Sequence, residues 1–386
     1  MKIKRFLFIA LAFAIAVFIV YLLSIAGDKS KGPIQNVLDK TGDSFIQLEE
    51  SFMNNREDQR KEKLKGYLAY RNNIDSLRNP SKILLGASDN SNPESFETII
   101  SLEDSLSTVF PLIHIYNAWG SKSSEQFPTV AAKTILNLGS TPVITWEPWL
   151  SDFDADEYPG IPKVGKRGKG SLLAIESGIY DKYIIKWAQA AKELEKPIFV
   201  RFGHEMNDPY RYPWGPQNNK PADFVAAWKH IRQLFDSLAV NNIVWIWAPH
   251  PAYGYFDAFY PGDEFVDYVG IGVLNFGDAA TWSKWWTFDE LFGANYEKFS
   301  SYNKPIMITE FGSLVVGGDR GHWFADALRD TPEKYPALKS ILFFHYPADN
   351  TITSKLVSWY FIDDKATRDS IKKQIHAWPK TLRLDL

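Results

Sequence analysis

The sequence has no cysteine and little net charge, and each absence excludes a class of site. Without cysteine, its 386 residues can form no disulfide, no thiolate zinc site and no cysteine nucleophile. The 43 Lys and Arg residues nearly balance 46 Asp and Glu residues, so the formal net charge is -3. This balance gives no electrostatic reason to expect nucleic acid as a partner. The zinc motif H-E-x-x-H is also missing, because Asp208 stands where the second histidine would follow His204 and Glu205. We therefore expect neither a metal nor a cofactor.

The N-terminus carries a long uncharged segment. Basic residues at positions 2, 4 and 5 precede residues 6–26, which contain no charge and are numerous enough to cross a bilayer as a helix. The alternative is a cleaved signal peptide, because small residues occupy positions 24 and 26. The run is longer than the apolar core of a usual signal peptide. We therefore predict a transmembrane anchor over residues 1–27, with the rest of the chain outside the cytoplasm, periplasmic or at the cell surface. Secretion after signal cleavage is the alternative.

The remaining chain divides at about residue 80. Residues 28–79 are rich in charge with scattered apolar positions, which predicts a polar stem of one or two exposed helices ending near Pro80. From residue 83 onward, short apolar runs alternate with amphipathic segments, as in repeated strand–helix units. The predicted strands are 83–87, 112–116, 142–146, 198–202, 243–248, 268–272, 306–309 and 341–345, and the clearest helices are 180–194, 222–238 and 367–376. Eight such units predict an α/β fold, a (β/α)8 TIM barrel over residues 80–386.

Two glutamates follow strands that face each other across such a barrel. Glu205 comes directly after the fourth strand, and Glu310 directly after the seventh. The ends of barrel strands carry the chemistry of this fold. A retaining glycosidase needs two carboxyl groups on opposite sides of the scissile bond, one as acid/base and one as nucleophile. A single glutamate at a strand end is as consistent with a structural ion pair as with catalysis. Two glutamates at these positions favour catalysis. The abundance of aromatic residues, with 14 Trp and 18 Tyr, suits a cleft that stacks sugar rings.

The segments around these glutamates resemble a known family. Residues 201–207 (Arg-Phe-Gly-His-Glu-Met-Asn) and 212–215 (Tyr-Pro-Trp-Gly) resemble the signature of glycoside hydrolase family 26, and so do residues 178–183, 244–249, 260–263 and 304–312. The resemblance extends over roughly residues 82–377. The family contains β-mannanases, mixed-linkage β-glucanases and some xylanases, all retaining. The resemblance implies that Glu205 is the acid/base and Glu310 the nucleophile, that His204 orients the acid/base or a sugar hydroxyl, and that Trp214 stacks on a sugar.

The sequence departs from the family pattern after three strands. Residues 270–275 lack the tyrosine that commonly contacts the nucleophile, which leaves that hydrogen bond to Asn275 or to water. The eighth strand ends in His345 and Tyr346, where relatives often have tryptophan, and the third ends in Trp146 and Glu147. Further candidates at strand ends are weaker. Trp119 is a stacking platform or a lid, Glu147 raises the pKa of Glu205 or binds a sugar hydroxyl, and at least one of Trp247 and His250 belongs to the core. The predicted substrate-binding set is Arg201, His204, Asn207, Trp214, Trp119, Trp146, Glu147, Trp247, Asn275 and His345.

The sequence thus predicts a monomeric, membrane-tethered retaining endo-β-glycanase whose partner is a polysaccharide. β-1,4-Mannan is the first expected substrate, mixed-linkage β-glucan the second and a self-made exopolysaccharide the third. The rival interpretation is a barrel that has lost turnover and binds glycan, which the departures after the sixth and eighth strands motivate. Two matched glutamates argue against it, since a binding protein has no use for them.

Overall fold

The computed structural model describes residues 59–89, 95–158, 160–349 and 356–384, which belong to one compact unit beginning at residue 59. The predicted anchor over residues 1–27 and the first part of the predicted stem lie outside these ranges. Among the helices of the described residues, none combines the length and hydropathy needed to cross a bilayer.

The described chain forms the predicted closed barrel of eight parallel strands in sequential order. The strands are β1 (Leu84–Ser88), β2 (Leu112–Ala118), β3 (Thr141–Glu147), β4 (Ile198–Phe202), β5 (Ile243–Trp247), β6 (Tyr268–Asn275), β7 (Ile306–Ser313) and β8 (Leu338–Phe344). All eight predicted strands are confirmed. The largest differences concern β6 and β7, which continue three and four residues beyond their predicted ends, and β8, which begins three residues before its predicted start.

The first two of the following helices precede β1, and the others lie outside the barrel, between strands or after β8. The helices are α1 (Leu68–Arg71), α2 (Ile74–Arg78), α3 (Glu97–Leu106), α4 (Thr129–Asn137), α5 (Ser171–Glu176), α6 (Asp181–Lys192), α7 (Pro221–Ser237), α8 (Phe256–Phe259), α9 (Ala294–Ser300), α10 (Arg320–Lys334) and α11 (Lys365–Ala377). From α3 onward, the buried faces of the helices pack on the outward-facing side chains of the strands in one continuous core. The helices predicted at 180–194, 222–238 and 367–376 are α6, α7 and α11, so the alternating pattern located them within two residues.

The inside of the barrel has two chemically distinct layers. Toward the amino-terminal ends of the strands it is apolar, with Leu84, Leu112, Val143, Phe199, Val244 and Met307 among its members. Toward the carboxyl ends, side chains of the same inward-facing rows are polar. The alternation of side chains along each strand therefore supplies a closed floor and, above it, a polar layer that opens toward the βα loops.

Residues 59–78 close the amino-terminal end of the barrel. Leu64, Tyr67 and Leu77 are fully buried against the apolar layer. The Tyr67 hydroxyl donates to Oγ1 of Thr141 at 2.7 Å, and Tyr268 donates to the Leu77 carbonyl at 2.7 Å. Short helices occur in this part of the predicted stem, but the expectation that they are exposed is wrong at these three positions. Their apolar side chains meet the barrel floor, a contact between distant segments that local periodicity does not reveal.

Candidate active site

The polar layer is organised around Arg201 of β4, which is buried. Its Nε donates to Oγ1 of Thr145 on β3 at 2.7 Å, and Nη1 donates to Oγ1 of Thr309 on β7 at 2.8 Å. His114 of β2 shares the Thr145 hydroxyl, with Nε2 at 2.6 Å. A buried guanidinium needs both hydrogen-bond acceptors and a counter-charge. The threonines supply acceptors from β3 and β7, on opposite sides of the barrel, and the counter-charge comes from Glu310.

Glu310 points into the barrel because β7 contains an irregularity. Ile308 pairs with Ile271, but the next pair joins Glu310 to Gly272, so Thr309 is skipped in the ladder. In a regular strand, adjacent side chains face opposite ways. Here Thr309 and Glu310 both reach the Arg201 guanidinium, and Nη2 donates to Oε1 of Glu310 at 2.7 Å. The extra residue in β7 thus directs a carboxylate inward at the point where the strand ends, as bulges near active sites do.

Glu205 follows β4 in a left-handed backbone conformation, with φ of 52°. This region is disfavoured for a residue with a Cβ and costs of order 1–3 kcal/mol unless the surroundings fix it. The Glu205 N–H donates to the Ala248 carbonyl at 2.7 Å, and Asp208 N–H donates back to the Glu205 carbonyl at 2.9 Å. These bonds hold the strained residue in place, so that its side chain turns over the mouth of the barrel.

The two glutamates face one small space above β6. A methyl group placed on Gly272 would lie 3.8 Å from Oε1 of Glu205 and 3.9 Å from Oε2 of Glu310. Both side chains are largely buried, so neither carboxyl group is freely hydrated. Two carboxyl groups that reach the same point from opposite strands have the arrangement needed to act on the two sides of one bond.

Their surroundings shift the two pKa values in opposite directions. Burial raises the pKa of Glu205, and the charge of Glu310 adds to that increase although His250 and Arg211 oppose it. Burial alone would also raise the pKa of Glu310, but Arg201 and the hydrogen bonds from Arg201 and Tyr116 outweigh burial and lower it. Groups whose environments separate their pKa values in this way are suited to acid and nucleophile roles.

Tyr116 of β2 donates the hydrogen bond to Glu310 that the sequence analysis assigned to Asn275 or to water. Its hydroxyl donates to Oε1 of Glu310 at 2.8 Å. Burial and the nearby carboxylate raise the pKa of Tyr116 well above its ordinary value, so the phenol remains a donor at neutral pH. Asn275 instead donates to Oγ of Ser313 and accepts from backbone N–H groups of the loop after β6. The missing tyrosine after β6 is therefore replaced, in function, by one from the opposite side of the site.

We predict a shift in the pH profile when this hydroxyl is removed. Tyr116→Phe removes a bond that stabilises only the charged form of Glu310, so the pKa of Glu310 should rise. The acidic limb of a kcat/KM profile should then move to higher pH, and the alkaline limb, set by Glu205, should stay. Tyr346→Phe is the matched control, since the Tyr346 ring meets Tyr116 edge-on at 6.4 Å and has no hydrogen bond to Glu310 among the described contacts. An acidic limb that stays in place in Tyr116→Phe would contradict this role.

His204 and Glu147 form a second polar pair beside the acid. Nε2 of His204 lies 3.0 Å from the Tyr212 hydroxyl, and burial, followed by Arg201, lowers the pKa of His204 well below its ordinary value. The ring is therefore neutral. If the tyrosine donates to Nε2, the proton is on Nδ1, which is 3.9 Å from Oε1 of Glu147 and has no hydrogen-bond partner. Burial raises the pKa of Glu147.

Trp214 is buried, which contradicts the expectation of a stacking surface at the rim. It is 1% exposed, its ring stacks on Tyr212 with centroids 4.5 Å apart, and Nε1 donates to the His204 carbonyl at 2.8 Å. The Trp149 ring also meets Trp214 edge-on, with centroids 5.2 Å apart. Trp214 thus supports the segment that carries His204 and Glu205 instead of presenting a face to a sugar.

Other predicted substrate contacts are also buried away from the mouth. Trp119 and Trp146 pack together at 4.6 Å in the layer between strands and helices, and Trp247 is buried there too, with Nε1 donating to the Phe259 carbonyl. His345 is buried, and its ring accepts a hydrogen bond from the Phe361 N–H. The Asn207 amide donates to carbonyls of the loop after β5. Trp119, Trp146, Trp247, Asn275 and His345 are fully buried, so direct sugar contact does not fit them in this conformation.

Among the described residues, one group offers metal-ligand atoms near the acid. Side-chain atoms of Glu205, Asp208 and His250 lie within 4.8 Å of one another. However, Nδ1 of His250 accepts from the Ala252 N–H at 3.1 Å, so in the neutral ring the proton is on Nε2, which faces Oε1 of Glu205 at 4.0 Å. Arg211 also lies 3.2 Å from Glu205. The Nε2–H of His250 and the cation of Arg211 both face the Glu205 carboxylate and leave no favourable place for a metal ion, so we assign none.

Sequence reasoning gave Tyr116 and His250 no role in the site, and it missed Arg211. Tyr116 lies two residues after His114, so both share the inward face of β2, and that parity was a usable signal. Arg211 lies in an irregular loop with no periodicity to place it. Its contact with Glu205 depends on the path of that loop.

A pair of carboxyl groups that converge at the carboxyl ends of barrel strands is the arrangement that glycoside hydrolysis requires. The sequence profile of glycosyl hydrolase family 26 matches residues 136–299, which include Glu205 but stop before Glu310. The match covers less than half of the chain, and over this segment the chain is similar to the family that the resemblance implied.

Two curated relatives agree with this assignment. Endoglucanase H of Acetivibrio thermocellus is 31% identical over 61% of this chain and 25% of its own length. Mannan endo-1,4-beta-mannosidase of Bacillus subtilis is 25% identical over 44% of this chain and 45% of its own length. The chain thus spans less than half the length of either relative.

Solved structures share the fold. The structure of GH26C from Muricauda sp. MAR_2010_75 is 17% identical, with a TM-score of 0.56 over 80% of this chain and 91% of that chain. The catalytic domain of Bacillus sp. JAMB-750 GH26 endo-beta-1,4-mannanase is 16% identical, with a TM-score of 0.54 over 81% of this chain and 92% of that chain. At these identities the likeness supports the barrel fold alone.

Proposed function

We propose that the chain is a retaining endo-β-glycanase in which Glu205 is the acid/base and Glu310 the nucleophile. The observation that carries the proposal is the convergence of the two carboxyl groups above Gly272, with pKa values shifted in opposite directions. Glu310, kept ionised by Arg201 and Tyr116, attacks the anomeric carbon while Glu205 protonates the departing oxygen. In the second step Glu205 takes a proton from water, and the water oxygen attacks the anomeric carbon as the bond to Glu310 breaks. This releases the sugar with its original configuration and regenerates the Glu310 carboxylate.

The electrostatics suit a reversal of roles between the two steps. While Glu310 is charged, its charge raises the pKa of Glu205 and favours the protonated acid. Once Glu310 is esterified by the sugar, that charge is gone, and His250 and Arg211 remain beside Glu205. The pKa of Glu205 then falls, which turns the acid of the first step into the base of the second.

The gap between His204 and Glu147 suits a sugar hydroxyl. When Tyr212 donates to Nε2 of His204, a hydroxyl that contacts both side chains can accept from the Nδ1–H of His204 and donate to Oε1 of Glu147, which lie 3.9 Å apart. Such a bond would satisfy a buried nitrogen that has no partner in the free protein. We therefore propose that this pair recognises a hydroxyl on the sugar next to the cleaved bond. Arg201 acts on the sugar indirectly, through Glu310.

β-1,4-Mannan is the first proposed substrate, and β-glucan is a second candidate because the relative with the higher identity is named an endoglucanase. The test is the release of reducing ends by purified protein from β-1,4-mannan, mixed-linkage β-glucan and β-1,4-xylan, together with solution viscosity. An endo-acting enzyme lowers the viscosity before many reducing ends appear. Binding of these polymers without any release of reducing ends would contradict hydrolysis and favour the glycan-binding alternative.

We also propose that residues 1–27 anchor the chain in a membrane with the barrel outside the cytoplasm. The support is the uncharged run at residues 6–26 after three basic residues. Full-length protein should then stay with membranes after a high-salt wash. A mature N-terminus at Gly27, found by sequencing, would show signal cleavage instead.

A further inference from the structure

Two tyrosines extend outward from the acid/base on the loops after β4 and β5. The His250 ring, whose Nε2 lies 4.0 Å from Oε1 of Glu205, packs on the Tyr253 ring at 4.8 Å. Tyr253 in turn meets Tyr210 edge-on at 5.9 Å. Tyr210 is 81% exposed, so most of its ring has no protein contact. The series of rings therefore begins at the acid and ends in solvent.

Buried polar side chains of the catalytic segment fix both tyrosines. Oδ1 of Asp208 accepts from the Tyr210 N–H at 2.8 Å, and Asp208 itself is buried. The Asn207 amide donates to the carbonyls of Tyr253 and His250, and its oxygen accepts from the His250 N–H at 2.7 Å. The side chains of Asn207 and Asp208 thus form hydrogen bonds to the backbone of the residues that carry these rings. A freely moving surface loop does not have its backbone held by buried side chains. Here the backbone is held, so the exposed aromatic side chain is presented in a defined position.

From this geometry we infer that Tyr210 and Tyr253 form a binding subsite for a pyranose on the leaving-group side of the cleaved bond. The inference rests on the proposed function, because that side is defined by the acid. Glu205 must contact the departing oxygen, so the leaving sugar lies next to Glu205, and the next sugar extends toward the rings beyond His250. The apolar face of a pyranose can cover the exposed Tyr210 ring, while the Tyr hydroxyls remain available to sugar hydroxyls. The expected ligand is a β-linked oligosaccharide of at least two units beyond the cleaved bond.

The test uses full-length protein and two probes labelled with 18O at the reducing end, mannohexaose and a mixed-linkage β-glucan hexasaccharide. Tyr210→Ala should lower kcat/KM on the probe that wild type cleaves by roughly tenfold, the size of a lost ring contact. The cuts that leave two or more sugars on the reducing-end side should decline most. Tyr210→Phe retains the ring face and should recover most of the loss. Val130→Ala, an exposed apolar residue on α4, should leave kcat/KM and the products unchanged.

Because the two rings are in contact, the double variant Tyr210→Ala/Tyr253→Ala should show a smaller fold-loss in kcat/KM than the product of the fold-losses of the two single variants. Wild-type kcat/KM and an unchanged product pattern in Tyr210→Ala would overturn this inference and leave the proposed function standing. An equal loss in Tyr210→Phe and Tyr210→Ala would overturn it as well, since the ring face would then be irrelevant. No cleavage of either probe, nor of any polymer, by wild type would overturn the function and this inference together.

Discussion

Glu310→Ala should reduce turnover to the background rate on every substrate, because no glycosyl–enzyme intermediate can form without the carboxylate. The space above Gly272, which Oε2 of Glu310 borders, then admits a small anion. Added azide should restore cleavage and give the α-azide, since azide displaces the leaving group in a single inversion while Glu205 still protonates it. The products are identified by NMR.

Glu205→Ala should behave differently from Glu310→Ala. General acid catalysis contributes about 10²–10⁴-fold, and substrates with poor leaving groups depend on it most. Activity on polysaccharide should therefore fall by that range, and aryl glycosides with good leaving groups should retain more. Azide should then attack the intermediate and give the β-azide. Glu176→Ala, on the exposed side of α5, is the control that should retain full activity. Full activity in either Glu205→Ala or Glu310→Ala would refute the assignment of that residue.

Arg60→Met should destabilise the protein by about 3–5 kcal/mol, because it leaves a buried carboxylate without its cation. Arg60 forms a two-point ion pair with Glu103 of α3, with Nε to Oε2 at 2.8 Å and Nη2 to Oε1 at 2.5 Å, and both side chains are buried. It also donates to the carbonyls of Phe110 and Leu138 below the barrel. The loss is measured as the free energy of unfolding in urea.

Lys65→Met is the matched control, since Lys65 pairs with Glu62 at 2.9 Å where both side chains are about 70% exposed. Exposed pairs contribute about 0–1 kcal/mol. Equal stabilities of Arg60→Met and Lys65→Met would show that residues 59–79 behave as the solvated spacer expected from composition. A large difference would show that the barrel needs this segment as its floor.

The fold could be predicted because buried parallel strands form short apolar runs that are visible without any alignment. The closure of the barrel floor could not, because Leu64, Tyr67 and Leu77 are spaced without strict periodicity and their burial depends on strands far along the chain. Composition showed the charges of this segment but gave no information about their partners.

The catalytic pair could be predicted from strand ends, but several aromatic residues were placed on the wrong side of the sheet. Trp146 follows Thr145, whose side chain faces inward to Arg201, so Trp146 must face the helices. The same parity puts Trp247 outside, next to Ile246 in the barrel interior. Glu310 breaks this rule because of the irregularity in β7, which no sequence pattern announced.

The configuration of the first product tests the central claim most directly. The account requires an intermediate on Glu310 and a second displacement assisted by Glu205, so NMR at early times of hydrolysis should show the new reducing end in the β configuration before mutarotation. An initial α product would contradict the account, because it would mean a single displacement by water with Glu310 as base and no covalent intermediate.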